Sequence, residues 1–324
     1  MPWLAQRHTS LVSVCICAGL FLALSACGGG QQPPHGAPDT SAPTFQSASA
    51  TKPTPDRVRV SATATDDGSV SGYCAKATAT TPSAGDACFT NAQPIDVDIS
   101  GLTTNAKVYV WARDANNNVS SARVVDVNQC SESGQATAAA SSYAKVVCLG
   151  VGAINGSHSG EILIGLEPNA PNSTANFLSY VNAGFYPGTV FHRVISNFMI
   201  QTGGNTYASG VYTQKSAGLL PAIALERTST TGLSNIQYSV ALARTNVADS
   251  ATSQFFINVV NNPQLDANGA IDPGNGYAVF GKVISGTDII DLIKAVPVAA
   301  NSSNEVSQPT GTPPTILYTV SVKP

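Results

Sequence analysis

The chain has 324 residues, a length typical of about two domains. Charged residues make up only 11% of it and the formal net charge is −3, whereas an average soluble protein has about 25% charged residues. This composition excludes a polybasic nucleic-acid-binding surface, so we expect no nucleic-acid partner. Because 43% of the residues are hydrophobic, the low charge does not indicate general disorder.

Residues 1–26 predict an export signal. An apolar run over residues 11–26 is too short for a comfortable membrane span, and it ends in LSAC at residues 24–27. This ending resembles a bacterial lipobox, which implies cleavage before Cys27, lipidation of Cys27 and anchoring to a membrane of the cell envelope. Because glycine and not aspartate follows Cys27, the resemblance favours the outer membrane, facing the periplasm. An ordinary signal peptide is the alternative.

Four cysteines lie beyond the predicted signal and lipidation site: Cys74, Cys88, Cys130 and Cys148. An even number of cysteines in an exported chain indicates disulfides. Three pairings are possible, and sequence proximity favours Cys74–Cys88 and Cys130–Cys148. The second pair would pin residues 129–143, which are small and polar and predict a linker. Metal binding is the alternative, but no C-x-x-C or H-x-H spacing supports it, so we expect no metal and no cofactor.

Residues 27–43 are rich in Gly and Pro and predict a flexible tether. Residues 44–128 predict a small β-sandwich, because segments such as 57–65 alternate in side-chain character with a period of two between turn signals. The segment VWARDANNNVS at 110–120 resembles bacterial immunoglobulin-like or fibronectin type III-like modules, and we interpret Trp111 as a core residue. The sequence names no partner for this module.

Residues 144–324 predict a second domain. The pattern at 171–184 predicts a helix capped by Asn172 or Ser173, and a second helix fits residues 287–295. Short strand-like runs and glycine-rich turns lie between the two helices. Few helices among many strands favour a mainly β architecture, a β-barrel with helical caps.

Two segments of this domain have an unusual chemical character. FHRVISNFMIQ (191–201) places one arginine and one glutamine among bulky apolar residues, and SATSQFFIN (250–258) is similar. Neither holds the side-chain pairings that acid–base or covalent catalysis requires. An apolar pocket served by one fixed cation suits a reaction that breaks no covalent bond, such as rotation about a prolyl peptide bond.

Residues 144–324 resemble cyclophilin-type peptidyl-prolyl isomerases, most closely those of the bacterial periplasm. Three blocks carry the resemblance: NFLSYVNAGFYPGTVFHRVISNFMIQTGG (176–204), SVALARTNVADSATSQFFINVVNNPQLD (239–266) and GYAVFGKVISGTDIIDLI (276–293). Their length, order and spacing make the match far more specific than a single short motif. The resemblance implies an eight-stranded antiparallel barrel with a helix at each end and an active site in a groove on its outer face.

The resemblance implies that Arg193 is the catalytic residue. A peptide bond resists rotation because the nitrogen lone pair is delocalised into the carbonyl, which gives a barrier of about 18–20 kcal/mol. In the twisted transition state the lone pair is localised, so a donor aimed at the nitrogen binds this state better than either planar state. The permanently charged, planar guanidinium of Arg193 suits this role. His192 is interpreted as a buried structural residue, since the step transfers no proton.

The resemblance further implies an apolar slot for the proline ring, lined by Phe198, Met199, Phe256 and Leu265. Phe255 should face the other way, into the core, because neighbouring residues on a strand point to opposite faces. Tyr277 should lie at the rim, where many eukaryotic relatives have a histidine.

The remaining predicted site residues contact the substrate backbone or support the groove. Gln201 should hydrogen-bond the substrate and help to place Arg193, and Gln254 should support the groove from behind. Ala243 and Arg244 should present main-chain groups to the residue before proline. Many relatives have asparagine in place of Arg244, and we expect its added charge to bias the choice of client.

Together these features predict a membrane-tethered prolyl isomerase that assists the folding of exported proteins. Its partners would be unfolded or exported polypeptides that contain proline. The alternative is a non-catalytic lipoprotein that binds proline segments or acts as a scaffold. The loop 266–276 is rich in Asp and Asn but lacks the closing Glu of an EF-hand, so we predict a surface turn there and no calcium site.

Overall fold

The structure, a computed structural model, describes residues 38–100, 107–156 and 158–323. The predicted signal, the lipidation site Cys27 and most of the predicted tether lie outside these residues. Within the described part of the chain, the helices are too short or too polar to cross a bilayer. The region Asp39–Pro324 forms one compact unit.

Mainly β secondary structure fills this unit. The strands are β1 (Thr44–Thr54), β2 (Arg57–Thr65), β3 (Val70–Lys76), β4 (Ile95–Asp98), β5 (Lys107–Asp114), β6 (Arg123–Asp126), β7 (Val146–Ile154), β8 (His158–Leu166), β9 (Arg193–Ile195), β10 (Met199–Thr202), β11 (Asn205–Ala208), β12 (Val211–Gln214), β13 (Ser239–Leu242), β14 (Phe255–Asn258), β15 (Val279–Ser285), β16 (Val298–Ala300), β17 (Val306–Pro309) and β18 (Thr315–Lys323). The helices are α1 (Glu132–Ala140), α2 (Pro171–Asn182), α3 (Thr228–Thr231) and α4 (Thr287–Lys294).

The N-terminal strands form two three-stranded antiparallel sheets, β1-β2-β4 and β3-β5-β6. Strand β2 shows how the two sheets pack against each other. Val58 and Val60 are fully buried on one face of the strand, while Arg59 between them is exposed on the other. These valines share one core with Val108 and Val110 of the other sheet. Trp111 is fully buried, as predicted. The two sheets therefore have the two-layer arrangement expected of a β-sandwich.

The C-terminal strands form an eight-stranded antiparallel sheet in the order β18-β7-β8-β15-β13-β14-β10-β9. A bridge between Val190, just before β9, and Thr315 in β18 joins its two ends, so the sheet curls toward a barrel. Strand β7 is buried along its whole length, which fits a barrel strand that is covered outside. Helices α2 and α4 contribute Phe177 and Ile290 to the barrel core. The mainly β architecture predicted from the sequence, with an eight-stranded antiparallel sheet and flanking helices, is confirmed.

The N-terminus of α2 is capped differently from the prediction. Neither Asn172 nor Ser173 provides a side-chain cap. Instead the carboxylate of Glu226 accepts hydrogen bonds from the main-chain N–H groups of Asn172 (2.9 Å) and Ser173 (2.7 Å). A distant carboxylate can satisfy these free N–H groups because the start of a helix favours negative charge.

The segment 129–143, predicted as a linker, contains helix α1. The hydroxyl of Ser131 accepts a hydrogen bond from the N–H of Gly134 at 3.1 Å and caps the helix. The run QATAAA that follows is rich in alanine, the residue with the highest helix propensity. This segment is therefore ordered secondary structure between the N-terminal sheets and the barrel.

Helix α1 lies beside a buried polar cluster that joins β1 to β8. Lys52 of β1 contacts Glu161 of β8 at 3.0 Å, and both side chains are at most 3% exposed. The hydroxyl of Ser131 also donates a hydrogen bond to Glu161, at 2.6 Å.

The described residues form the disulfides Cys74–Cys88 and Cys130–Cys148, so the pairing that sequence proximity favours is confirmed.

Candidate active site

The groove lies on the outer face of the sheet, where three adjacent strands place site residues side by side. Gln201 of β10 stands directly opposite Arg193 of β9 on one side and Phe256 of β14 on the other. Directly opposed residues of antiparallel strands share a face. The neighbours Ile200 and Phe255 point the other way, into the barrel core. The alternation of β10 and β14 thus separates groove from core.

This face holds a cavity of about 220 Å³. Nine of the predicted site residues line it: Arg193, Phe198, Met199, Gln201, Ala243, Arg244, Phe256, Leu265 and Tyr277. The sequence analysis missed a tenth lining residue, Ile271, which is 52% exposed in the loop 266–276. Because that loop was interpreted only as a surface turn, its apolar contribution to the wall went unnoticed.

The floor of the cavity is apolar and the rim is aromatic. Met199, Phe256 and Leu265 are nearly fully buried and form one hydrophobic cluster. The ring of Tyr277 meets Phe256 edge to face, with centroids 5.7 Å apart, a favoured aromatic arrangement. Phe198 packs against this cluster and is only half-buried. The shape suits a flat, apolar ring entering from the open side.

Arg193 stands at the polar edge of the cavity. Its Nε and Nη2 donate to Oε2 and Oε1 of Glu305, each at 2.6 Å. Its Nη1 lies 3.4 Å from Oε1 of Gln201 and 3.7 Å from the sulfur of Met199. The hydrogen bond from Arg193 is the main cause that lowers the pKa of Glu305 to about 2. The sequence analysis missed Glu305, although it is the sole acidic residue after Asp291.

Gln254 lies next to the groove and contacts Gln201. The amide Nε2 of Gln201 donates to Oε1 of Gln254 at 2.8 Å. A Cβ atom at position 204 would come within 2.4 Å of the Gln254 side chain, so a larger residue there would displace Gln254. The N–H of Ala243 donates to the carbonyl of Gln254 at 2.9 Å. A main-chain contact of Ala243 with substrate would therefore use its carbonyl oxygen.

His192 has the structural environment that the sequence analysis expected. Its Nδ1 lies 3.4 Å from the carbonyl oxygen of Val190. Burial lowers the pKa of His192 to about 4, and the neighbouring charge of Arg193 acts in the same direction. The ring is therefore neutral at physiological pH.

The expectation that Arg244 offers its charge to a client is wrong. Its side chain is 2% exposed and forms an ion pair with Asp272. Its Nε donates to the carbonyl of Gly276 at 3.0 Å, and its guanidinium stacks 4.5 Å from the centre of the Tyr277 ring. The ion pair with Asp272 offsets the charge of Arg244 within the protein. Arg244 instead connects the loop 266–276 and the ring of Tyr277 to the barrel through these contacts.

The acidic groups of this loop are used within the protein. The carboxylate of Asp266 accepts hydrogen bonds from the main-chain N–H and the side-chain Nδ2 of Asn235, both at 2.8 Å. Elsewhere in the described residues, three aspartates bring their carboxylate oxygens within 4.8 Å of one another: Asp39, Asp66 and Asp67. These aspartates lie in the N-terminal region, outside the residues that line the cavity.

The C-terminal part of the chain is similar to known proteins. The family described as "Cyclophilin type peptidyl-prolyl cis-trans isomerase/CLD" matches residues 153–314. The chain is 44% identical over 147 residues to peptidyl-prolyl cis-trans isomerase cyp18 of Streptomyces antibioticus, covering 45% of this chain and 84% of that protein. It is 40% identical over 147 residues to peptidyl-prolyl cis-trans isomerase B of Escherichia coli, covering 45% and 85%.

Among solved structures, a cyclophilin-type peptidyl-prolyl cis-trans isomerase of Cryptosporidium parvum aligns with a TM-score of 0.40 and 21% identity, covering 55% of this chain and 96% of that one. The family match and the two bacterial relatives show that the chain belongs to the cyclophilin-type peptidyl-prolyl cis-trans isomerases. It is accordingly an enzyme that isomerises peptide bonds preceding proline.

Proposed function

We propose that the groove around Arg193 is the active site, and that it isomerises X-Pro bonds of unfolded or exported polypeptides in the cell envelope. One observation carries the site assignment: Arg193, Gln201 and Phe256 stand opposite one another on three adjacent strands. This register sets a fixed cation beside an apolar slot. A proline peptide needs both, a donor for its nitrogen and a place for its ring.

In this mechanism the slot holds the proline ring while the rest of the peptide turns. Met199, Phe256 and Leu265 grip the ring through apolar contacts that are similar in the planar and twisted states. Arg193 donates toward the proline nitrogen, whose lone pair is available only in the twisted state. Its contribution therefore lowers the barrier and does not merely tighten substrate binding.

Gln201 lies beside the donor and helps to orient it. Its Oε1 faces Nη1 of Arg193 at 3.4 Å, and its Nε2 is engaged by Gln254 at 2.8 Å. These two contacts orient the amide with its oxygen toward the arginine. Because the guanidinium is held before substrate arrives, little reorganisation is needed at the transition state.

The test of the site is Arg193→Ala in the full mature chain, with Arg59→Ala as the control. Arg59 pairs with Asp96 on the surface of the N-terminal sheets, where both side chains are more than half exposed. We expect Arg193→Ala to lower kcat/KM for a proline peptide by roughly 100-fold or more, as losing one transition-state donor does, with an unchanged circular dichroism spectrum. Wild-type activity in this variant contradicts the site assignment.

Our proposal also places the enzyme in the envelope as a lipoprotein anchored at Cys27. It is supported by the lipobox-like residues 24–27 and by two disulfides, which persist in oxidising compartments. The N-terminal sheets, similar in pattern to immunoglobulin or fibronectin type III modules, would hold the isomerase away from the membrane. Expression of the Cys27→Ser variant tests this: it should lose incorporation of labelled fatty acid and leave the membrane fraction. Unchanged labelling refutes the anchor.

A further inference from the structure

We propose that Glu305 is a positioning residue of the isomerase reaction, which selects the nitrogen of Arg193 that faces the substrate. Glu305 lies in the turn between β16 and β17, outside the three sequence blocks that carry the family resemblance. The inference rests on the proposed catalytic role of Arg193.

The geometry of the pair divides the guanidinium into two edges. A guanidinium carries five N–H donors in one plane, and the Nε–Nη2 edge is fully engaged by the two oxygens of Glu305 at 2.6 Å each. Such a two-point contact fixes the plane as well as the position of the group. Nη1 is left on the cavity side, where its partners Gln201 and Met199 lie at 3.4 and 3.7 Å. These longer contacts are weak, so the donors of Nη1 are the ones that stay available to a substrate on the cavity side.

Glu305 is itself held in a fixed position. Its Oε2 accepts from the hydroxyl of Ser307 at 2.7 Å, and its main-chain N–H donates to Oδ1 of Asn301 at 3.0 Å. Asn304, next to it, has a φ of 61°, which lies in the left-handed region and forms the tight turn. The low pKa of the Glu305 carboxyl, about 2, keeps it ionised throughout the neutral range. The hairpin thus presents a rigid carboxylate to Arg193.

A long arginine side chain without such a partner samples several rotamers and must be ordered during each turnover. Glu305 performs this ordering in advance, which is preorganisation of the catalytic donor. The apolar slot that binds the proline ring does not include Glu305. Removal of the carboxylate should therefore act on kcat and leave KM nearly unchanged.

The first part of the test compares Glu305→Gln and Glu305→Asp in the full mature chain, with Ser303→Ala as a control in the same turn. For Glu305→Gln we expect about a tenfold lower kcat with KM within about twofold, the size expected for a slightly misplaced catalytic group. Aspartate keeps the charge but is one methylene too short for both contacts. The kcat of Glu305→Asp should therefore fall between those of the wild type and Glu305→Gln. The NMR signal of the Arg193 Nε–H should be protected from exchange in the wild type and exchange rapidly in Glu305→Gln.

The second part is a double-mutant cycle with Arg193→Ala, measured at raised enzyme concentration. If Glu305 acts through Arg193, adding Glu305→Gln to Arg193→Ala leaves the residual rate unchanged. An equal fold-loss in both backgrounds, or a wild-type or higher kcat in Glu305→Gln alone, overturns the role of Glu305. Wild-type activity of Arg193→Ala, in contrast, refutes the proposed function itself. The two failures are therefore distinguishable.

Discussion

Phe255 and Phe256 are neighbours on β14, yet their rings lie on opposite sides of the barrel wall. The ring of Phe255 packs inside, with its centroid 5.2 Å from that of Phe177 and 5.4 Å from that of Tyr186. The ring of Phe256 packs outside against Tyr277 in the groove. The pleat of a single strand thus places one phenylalanine in the barrel core and the next in the proposed substrate groove.

Alanine at these two positions should separate the two roles. Phe255→Ala should lower the free energy of unfolding by about 3–5 kcal/mol, as other buried Phe→Ala changes do, while each folded molecule keeps its activity. Phe256→Ala removes apolar surface that the proline ring covers, worth about 1–2 kcal/mol of binding, so kcat/KM should fall about tenfold. Denaturant titration and a protease-coupled isomerisation assay measure the two effects. Equal activity loss per folded molecule in both variants would contradict the assignment of the faces.

The ion pair of Arg244 with Asp272 should control the rim of the groove. Arg244→Leu removes the buried cation that fastens the carbonyl of Gly276 and the Tyr277 ring. We expect faster amide hydrogen exchange in residues 266–276 and a higher KM, with kcat little changed, because Arg193 is untouched. Asp291→Asn breaks a surface ion pair with Lys294 and is the control, since such pairs contribute little. If exchange in the loop stays at the wild-type rate, Arg244 is not its fastener.

Glu226 should stabilise the fold through the N-terminus of α2. Glu226→Ala leaves the N–H groups of Asn172 and Ser173 without their carboxylate and should cost about 1 kcal/mol of unfolding free energy, the usual effect of losing a helix cap. Thermal unfolding of the variant measures this loss. Asp291→Asn is the control, because Asp291 lies away from any helix start and its surface ion pair with Lys294 contributes little. A melting temperature no lower than that of the control would show that water replaces the cap without cost.

Local pattern predicted many of the elements, and the family resemblance predicted most of the cavity lining, but neither predicted the carboxylates that contact them. The alternation within β10 and β14 predicts which of Ile200, Gln201, Phe255 and Phe256 face the groove. Glu305 contacts an arginine 112 positions away, and Glu226 contacts a helix start 54 positions away. No periodicity links residues at such separations; only the closure of the barrel brings them together.

Helix α1 was missed for a different reason. Small polar residues around 129–143 are typical of linkers, and that pattern outweighed the alanine run and the capping Ser131. The burial of Gly134 and Ala138 shows why small residues occur there: a Cβ atom at position 134 would approach Glu161 to 2.9 Å. Small side chains here indicate close packing against the barrel.

His192 makes a pH prediction that separates stability from catalysis. Its pKa is about 4 in the folded protein against a model-compound value of 6.5, chiefly because of burial. Between these values the unfolded chain binds a proton that the folded chain does not, so stability is full above pH 6.5 and is lost as the pH falls toward 4. The free energy of unfolding should change by up to about 1.4 kcal/mol per pH unit for this one proton.

His192→Gln should remove this pH dependence from denaturant titrations between pH 7.5 and 4.5. His158→Gln, a change at an exposed position, should retain it. Over the same range kcat/KM per folded molecule should stay constant in the wild type, because rotation about the peptide bond transfers no proton. A fall in kcat/KM that follows the titration of His192 would instead make this histidine a participant in the reaction.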